Sequence, residues 1–352
     1  MTDDTITTPA LRSGLNQARR MAFSRRRIIM PMALFFAVAA LYLGLVVAIL
    51  AAPMPLAALF SPLCGAVIGV LFIIGHDACH GNLTPSHWLN HIIGRLAFLP
   101  SLHSFTAWDL AHNRMHHTYN NLRGWDAVWE PMSPEDYRLR GSFARAAYRF
   151  YRSPAGVPFY YGIMLWAPMH SGLAAYIRRR LSPAYFLDLV LVLVFLTLQA
   201  VAVTKAGAFF GHNIAASLTL GVLVPFLTWN GLMSAIIFLH HTHPALRWYA
   251  DLDAWKADRG AIASTAHVRF PWPIGDMILF IMEHSAHHAA PGVPFYNLAA
   301  MQRAMAEHQD MLSWKFSFRA LVRICGRCQI YDYTLGRWVT FQEAEAGAPA
   351  VR

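Results

Sequence analysis

The chain has 352 residues, enough for one large domain or two small ones. It is 56% hydrophobic and only 14% charged, with a mean hydropathy of +0.35, whereas a soluble globular chain averages about 25% charged. The net charge of +10 comes from Lys and Arg that lie almost wholly outside the apolar runs. That placement argues against nucleic-acid binding and for topology control and contact with anionic lipid.

Residues 1–28 are mostly polar, carry six Arg and lack the pattern of a signal peptide; they read as a cytosolic arm. Four stretches then reach the roughly 20 apolar residues that a bilayer crossing requires. They run over about 29–51, 56–75, 184–204 and 214–239. The first two are joined by a short uncharged link with two prolines, the last two by a link whose single basic residue is Lys205, so each pair predicts a hairpin. Eleven Lys or Arg lie between the second and third spans and eleven after the fourth. The positive-inside rule places both termini and the central segment in the cytosol. The partly apolar stretch from Pro158 to Ile177, followed by Arg178, Arg179 and Arg180, reads as an interfacial or re-entrant helix. No repeat or low-complexity tract interrupts a single membrane domain over 29–345, and 346–352 form a tail.

Eight histidines stand in three clusters, each beside an apolar span. They are His76 and His80 in GHDACH, His112, His116 and His117 in AHNRMHH, and His284, His287 and His288 in EHSAHH, on a helix expected to begin near Ile274. Residues three or four apart share a helical face, so each cluster is expected to point its imidazoles at a common spot. Imidazole is the commonest neutral ligand for iron, zinc and copper. Eight exceed the needs of one ion, and two ions with open positions fit better. LHHTHP adds His240, His241 and His243 at the end of the fourth span. Carboxylates are scarce: Asp77, Asp109 and Asp126 are candidates to hold imidazole N–H groups from outside the ligand shell. The isolated His87, His91, His103, His170, His212, His267 and His308 read as surface or interfacial. Cys325 and Cys328 form a single CxxC with no second pair, so reduced thiols are preferred over a zinc site.

These segments resemble the integral-membrane fatty acid desaturases, and among them the delta-12 (omega-6) acyl type. The likeness is carried by GHDACHGNLTPSHWLN, AHNRMHH followed by DAVWEP, HTHP, HSAHHAAPGVPFYNL and the tail CQIYDYTLGRWVTF, from about Gly75 to Trp338. It implies an all-α membrane fold of four transmembrane helices in two hairpins, with a cytosolic helical cap carrying a histidine-rich diiron site. It implies two Fe, with O2 as co-substrate, and nine ligands: His76, His80, His112, His116, His117, His284, His287 and His288, with His241 as the ninth. The family usually has Gln where this chain has His240. The implied reaction inserts a cis double bond into an acyl chain. An unactivated methylene has no acidic proton, so no side-chain base could do this alone.

The substrate would be a membrane lipid or an acyl thioester. Electrons would come from a separate donor, ferredoxin or cytochrome b5-like, which Arg138, Arg140, Arg145 and Arg149 could dock. Rival readings share the metal site: a carotenoid ketolase or hydroxylase, or an acyl or alkane hydroxylase. A metal transporter would need more polar or ionisable residues in the spans than Asp188 and Asn230 provide.

Overall fold

The computed structural model describes residues 22–172, 182–258, 260–307 and 311–346. Among them, four helices are long and apolar enough to cross a membrane: Ile29–Ala51, Met54–Cys79, Pro183–Phe209 and Ile214–His241. Only Ala52 and Pro53 separate the first two, and Pro55 sits in the first turn of the second, where its missing N–H costs nothing. Large apolar side chains such as Phe36, Leu43, Leu63, Leu193 and Leu198 face outward. On a protein in water they would be a liability; around four spans they are the lipid surface.

The second span is the centre of the body. Gly65 lets it approach the fourth span so closely that an added Cβ would lie 2.6 Å from both the Pro225 carbonyl oxygen and Thr228 Cβ. Beside this contact the Ser61 hydroxyl donates to the Leu220 carbonyl at 2.6 Å. The second span extends past the expected end at Gly75, through His76 and Asp77 to Cys79. Both polar residues are buried against protein, which removes the cost that would have ended the span in lipid.

The cap is mostly helical, with two small strand pairs. His267–Arg269 runs parallel to Ser313–Lys315, and Ile330–Asp332 antiparallel to Arg337–Val339. The segment after the second span forms helices His87–Phe98 and Phe105–Trp108, then a π-helix over Asp109–His116. Asp188, one of the few ionisable residues in a span, anchors this segment. It accepts from Arg95 Nε at 2.7 Å and from the Thr106 N–H at 2.7 Å, which satisfies an otherwise costly buried charge. A further helical run, Val157–His170, with a π-helical middle over Tyr161–Trp166, packs against the fourth span. The rest of the expected 158–177 helix and the three arginines after it fall mostly outside the described residues. Arm residues 22–28 meet the cap: the Asn297 amide donates to the Phe23 carbonyl at 2.7 Å, and the Arg27 N–H donates to the Tyr296 hydroxyl at 2.7 Å.

One expected element is broken. The helix beginning near Ile274 stops at Met277, and Leu279 and Phe280 take positive φ before a new helix starts at His284. The turn separates the apolar Ile274–Met277 from the buried histidines, so the two need not share one face.

The Gly65 contact makes a direct prediction. Gly65→Leu should lower thermal stability by about 1–3 kcal/mol through overpacking. Gly44→Leu should not, because nothing lies within 4 Å of its Cβ position. Unfolding midpoints in detergent compare the two.

Candidate metal centre

Nine buried or half-buried histidines converge on two places in the cap. His76, His80, His112, His117 and His287 form one group; His116, His241, His284 and His288 form the other. Within each group, one ring nitrogen per residue lies within 4.8 Å of all the others.

Each histidine reaches its place by a local device. His76 and His80 are one α-helical turn apart, with Nε2 atoms 3.3 Å from each other. His112 and His117 are five apart and would diverge on an α-helix. The π-helix brings them together: the His117 N–H donates to the His112 carbonyl, and their Nε2 atoms lie 3.0 Å apart. His116 is thereby turned to the other group. His284 and His288 lie one turn apart, edge to face, with Nε2 atoms at 3.0 Å, while His287 points back to His117 Nε2, also at 3.0 Å. Two imidazoles of each cluster therefore share a spot, while His116 of the second cluster and His287 of the third each serve the other group. His241, at the end of the fourth span, puts its Nε2 2.9 Å from that of His284. His240 stays outside, stacked on the His284 ring at 3.7 Å with its Nε2 3.2 Å from Met282 Sδ. His243 accepts from the Ala245 N–H and joins neither group.

Contacts from outside fix the rings. Asp126 faces His116 Nδ1 with both oxygens, at 3.0 and 3.1 Å, and is itself held by the N–H groups of Asn121 and Val128. His241 Nδ1 donates to the Ser264 carbonyl at 3.2 Å. Asp77 lies 3.3 Å from His76 Nδ1 and accepts from the Phe295 N–H at 2.6 Å. Asp109 does not follow this pattern. It accepts from Asn113 and Arg114, which the same π-turn brings over it. Residues with no signal in the sequence also serve. Asn82 donates to the carbonyls of Pro291 and Val293, tying the first cluster to the third, and Asn121 donates to the carbonyls of His241 and Arg247.

This donor set fits metal ions. A neutral imidazole has one N–H, and that of His241 is spent on the Ser264 carbonyl, leaving its Nε2 as a bare lone pair, while the Nδ1 side of His116 is taken up by Asp126, which turns its Nε2 to the group. Burial, and next the neighbouring imidazoles, hold His80, His112, His117, His284, His287 and His288 well below the usual histidine range, in the neutral form that binds metals. Lone pairs this close repel one another unless a cation lies between them. With metal–nitrogen bonds of about 2.0–2.1 Å, adjacent ligands sit about 2.9 Å apart in an octahedron and about 3.4 Å apart in a tetrahedron. The observed separations of 2.8–3.3 Å match that interval.

A cavity of about 40 Å³ borders His112 of one group and His116 of the other, with Trp108, Val128, Leu165 and Met169 as apolar walls. It exceeds the roughly 10–15 Å³ that one water needs. Elsewhere, of the isolated histidines expected to be surface or interfacial, one lies inside and another is half-buried. His103 is buried, and His170 links the Trp166 carbonyl to the Ser104 N–H. His308 lies outside the described residues. Cys325 and Cys328 are buried free thiols and join no metal-binding group among the described residues. Three of the four arginines expected to face a donor are engaged with the C-terminal helix. Arg138 donates to the Ala344 carbonyl, and Arg145 and Arg149 pair with Glu345.

The family model described as fatty acid desaturase matches residues 53–319, which include all nine histidines. An sn-1 oleoyl-lipid 12-desaturase of Synechocystis is 28% identical over 279 residues, covering 76% of this chain and 74% of that protein. A protein of the same name from Picosynechococcus is 27% identical over 279 residues, covering 77% and 75%. The chloroplastic omega-6 fatty acid desaturase of spinach is 26% identical over 283 residues, covering 80% and 60%.

Substitutions separate the two groups from their surroundings. Asp126→Ala should weaken metal affinity about 10–100-fold by freeing the His116 ring, whereas Asp109→Ala should leave it unchanged. His80→Ala, His117→Ala and His288→Ala should each lose bound metal, while the exposed His87→Ala should not. His240→Gln should be tolerated and His241→Ala should not. Metal analysis of the purified variants measures each case.

Proposed function

The chain belongs to the fatty acid desaturase family, and from that premise we propose that it is an O2-dependent acyl desaturase of the delta-12 type whose two histidine groups hold two irons. The observation that carries the metal assignment is the convergence of nine imidazoles at coordination spacing on the ends of membrane spans. The delta-12 assignment rests on relatives named oleoyl-lipid 12-desaturase and omega-6 desaturase.

The ligands are His76, His80, His112, His117 and His287 for one iron, and His116, His241, His284 and His288 for the other. When bound, the irons supply the oxidising power, drawn from O2 and two electrons, that an unactivated methylene requires. The protein supplies the rest. Asp126 and the Ser264 carbonyl hold the rings of His116 and His241 in the ligating tautomer. The apolar walls at Trp108, Leu165 and Met169 admit a methylene and exclude bulk water from the space beside His112 and His116. Among the described residues no carboxylate belongs to either group, so a bound metal pair would keep most of its positive charge.

The acyl chain enters from the lipid, as the outward apolar faces of the spans suit a lipid-borne substrate. Electrons come from a separate protein, for which exposed basic residues such as Arg140 are the docking side. The arm, the cap and the C-terminus are placed in the cytosol, a reading that the distribution of Arg supports.

Expression in a host that makes oleoyl lipids but no diunsaturated chains should yield diunsaturated chains, dependent on O2 and a reduced donor. Mass spectrometry of total lipids reads the result. Hydroxylated acyl chains alone would assign the chain to the hydroxylases instead, and oxidised carotenoids with untouched acyl chains would assign it to the carotenoid enzymes. Tags at each terminus and near Arg140 should all report the cytosol; an external signal at Arg140 would overturn the sidedness.

A further inference from the structure

A series of buried aromatic rings runs away from the first histidine group. Trp108 lies flat on His112, with centroids 4.5 Å apart and planes at 19°. The His103 ring follows at 5.7 Å from Trp108. Tyr161 comes next, its hydroxyl 2.6 Å from His103 Nε2. Trp108, His103 and Tyr161 are all buried. Packing alone accounts for buried rings, and hydrogen bonding for a Tyr–His pair. Neither accounts for the way protons are arranged along this series.

We propose that Tyr161, His103 and Trp108 form an electron relay, in which the Tyr161 phenol delivers one electron through Trp108 to the metal centre while its proton passes to His103. The relay rests on the reading that the histidine groups hold a metal pair that reacts with O2. It acts when that pair has been oxidised and no acyl chain is present to be consumed.

Proton placement carries the argument. A phenol that loses an electron becomes a very strong acid, so its oxidation is easy only where a base already holds its proton. The Ser101 carbonyl can only accept, so the His103 Nδ1 that lies 3.2 Å from it bears the hydrogen. His103 Nε2 is then a lone pair, and the Tyr161 O–H donates to it. Burial, followed by the nearby His170, holds His103 well below the usual histidine range, so it is neutral before the transfer, and the hydrogen bond to the Tyr161 oxygen remains to hold the proton that arrives. Trp108 is the opposite case. Its indole N–H is buried with no acceptor, so an oxidised Trp108 has nowhere to release a proton and passes the charge on. Tyr161 is fixed from behind: its backbone N–H donates to the Ser234 hydroxyl, which donates to the Val157 carbonyl.

The balance is simple. Tyr161 loses one electron and one proton and becomes a neutral phenoxyl radical. His103 gains the proton and becomes imidazolium. The oxidised metal centre gains the electron, and no bond between heavy atoms forms or breaks. The separate electron-donor protein of the proposed function later returns one electron to Tyr161, and His103 returns the proton.

The test uses the iron-loaded full chain, reduced, mixed with O2 without acyl substrate and freeze-quenched. Electron paramagnetic resonance reads the radical, and Mössbauer spectroscopy follows iron oxidation in the same samples. A tyrosyl signal is expected in the wild type, with loss of that signal in Tyr161→Phe and slower formation in Trp108→Phe. In His103→Gln, which keeps a hydrogen-bonding group but not the base, the yield should fall. Iron content and unfolding midpoint of each variant show that it is folded and loaded. Iron oxidation in the wild type without a radical overturns the relay and leaves the proposed function standing, as does an unchanged radical in Tyr161→Phe. Iron that O2 does not oxidise overturns both.

Discussion

Nine imidazoles with their lone pairs turned toward one another are the arrangement that the rest of the cap exists to hold. Left to themselves, such rings would rotate apart or take protons from water. Here they do neither, because burial disfavours the charged form and outside contacts fix the rings. The fixing groups come from distant parts of the chain. Asp77 and Asn82 grip the backbone around Phe295 and Val293, Asn121 grips that of His241, and Gln302 accepts from the Ala286 N–H. Each tie joins one histidine-bearing segment to another segment, so displacing any one of them disturbs both groups.

The π-helix at Asp109–His116 is the geometric key to having two groups rather than one. It carries His112 and His116 and is capped by His117. With the wider turn, His112 and His117 meet in one group while His116, adjacent in sequence, serves the other. The cost of the poorer backbone geometry is offset locally by Trp108 stacking on His112 and by Asp109 pairing with Asn113 and Arg114. The divided clusters also interleave the groups. The ring of His117 stacks on that of His288 across them at 4.3 Å, which couples the two groups mechanically.

The membrane body supplies position rather than chemistry. The second and fourth spans end in His76, His80 and His241, and their close packing at Gly65 sets the distance between those ends. The first and third spans screen them from lipid. The chemistry therefore sits where the apolar medium ends, within reach of a chain that lives in it.

Much of this was readable in the sequence, for physical reasons. Apolar length and Arg placement determined the four spans, because backbone hydrogen bonds must close within a helix in lipid and charge must stay out of it. Histidine clustering marked the residues that could hold metal ions, because imidazoles this dense have few other uses, and the motifs around them marked the family. Local patterns could not say which histidine serves which group. That depends on a π-turn and on contacts between segments more than a hundred residues apart, such as those of Asn82 with Pro291 and Val293. Nor could they show that Asp126 holds His116 while Asp109 holds Asn113 and Arg114, or that His103 is buried against Tyr161. A sequence states which side chains are present and how they repeat along one element; only the packing of elements decides which lone pairs meet, and at what distance.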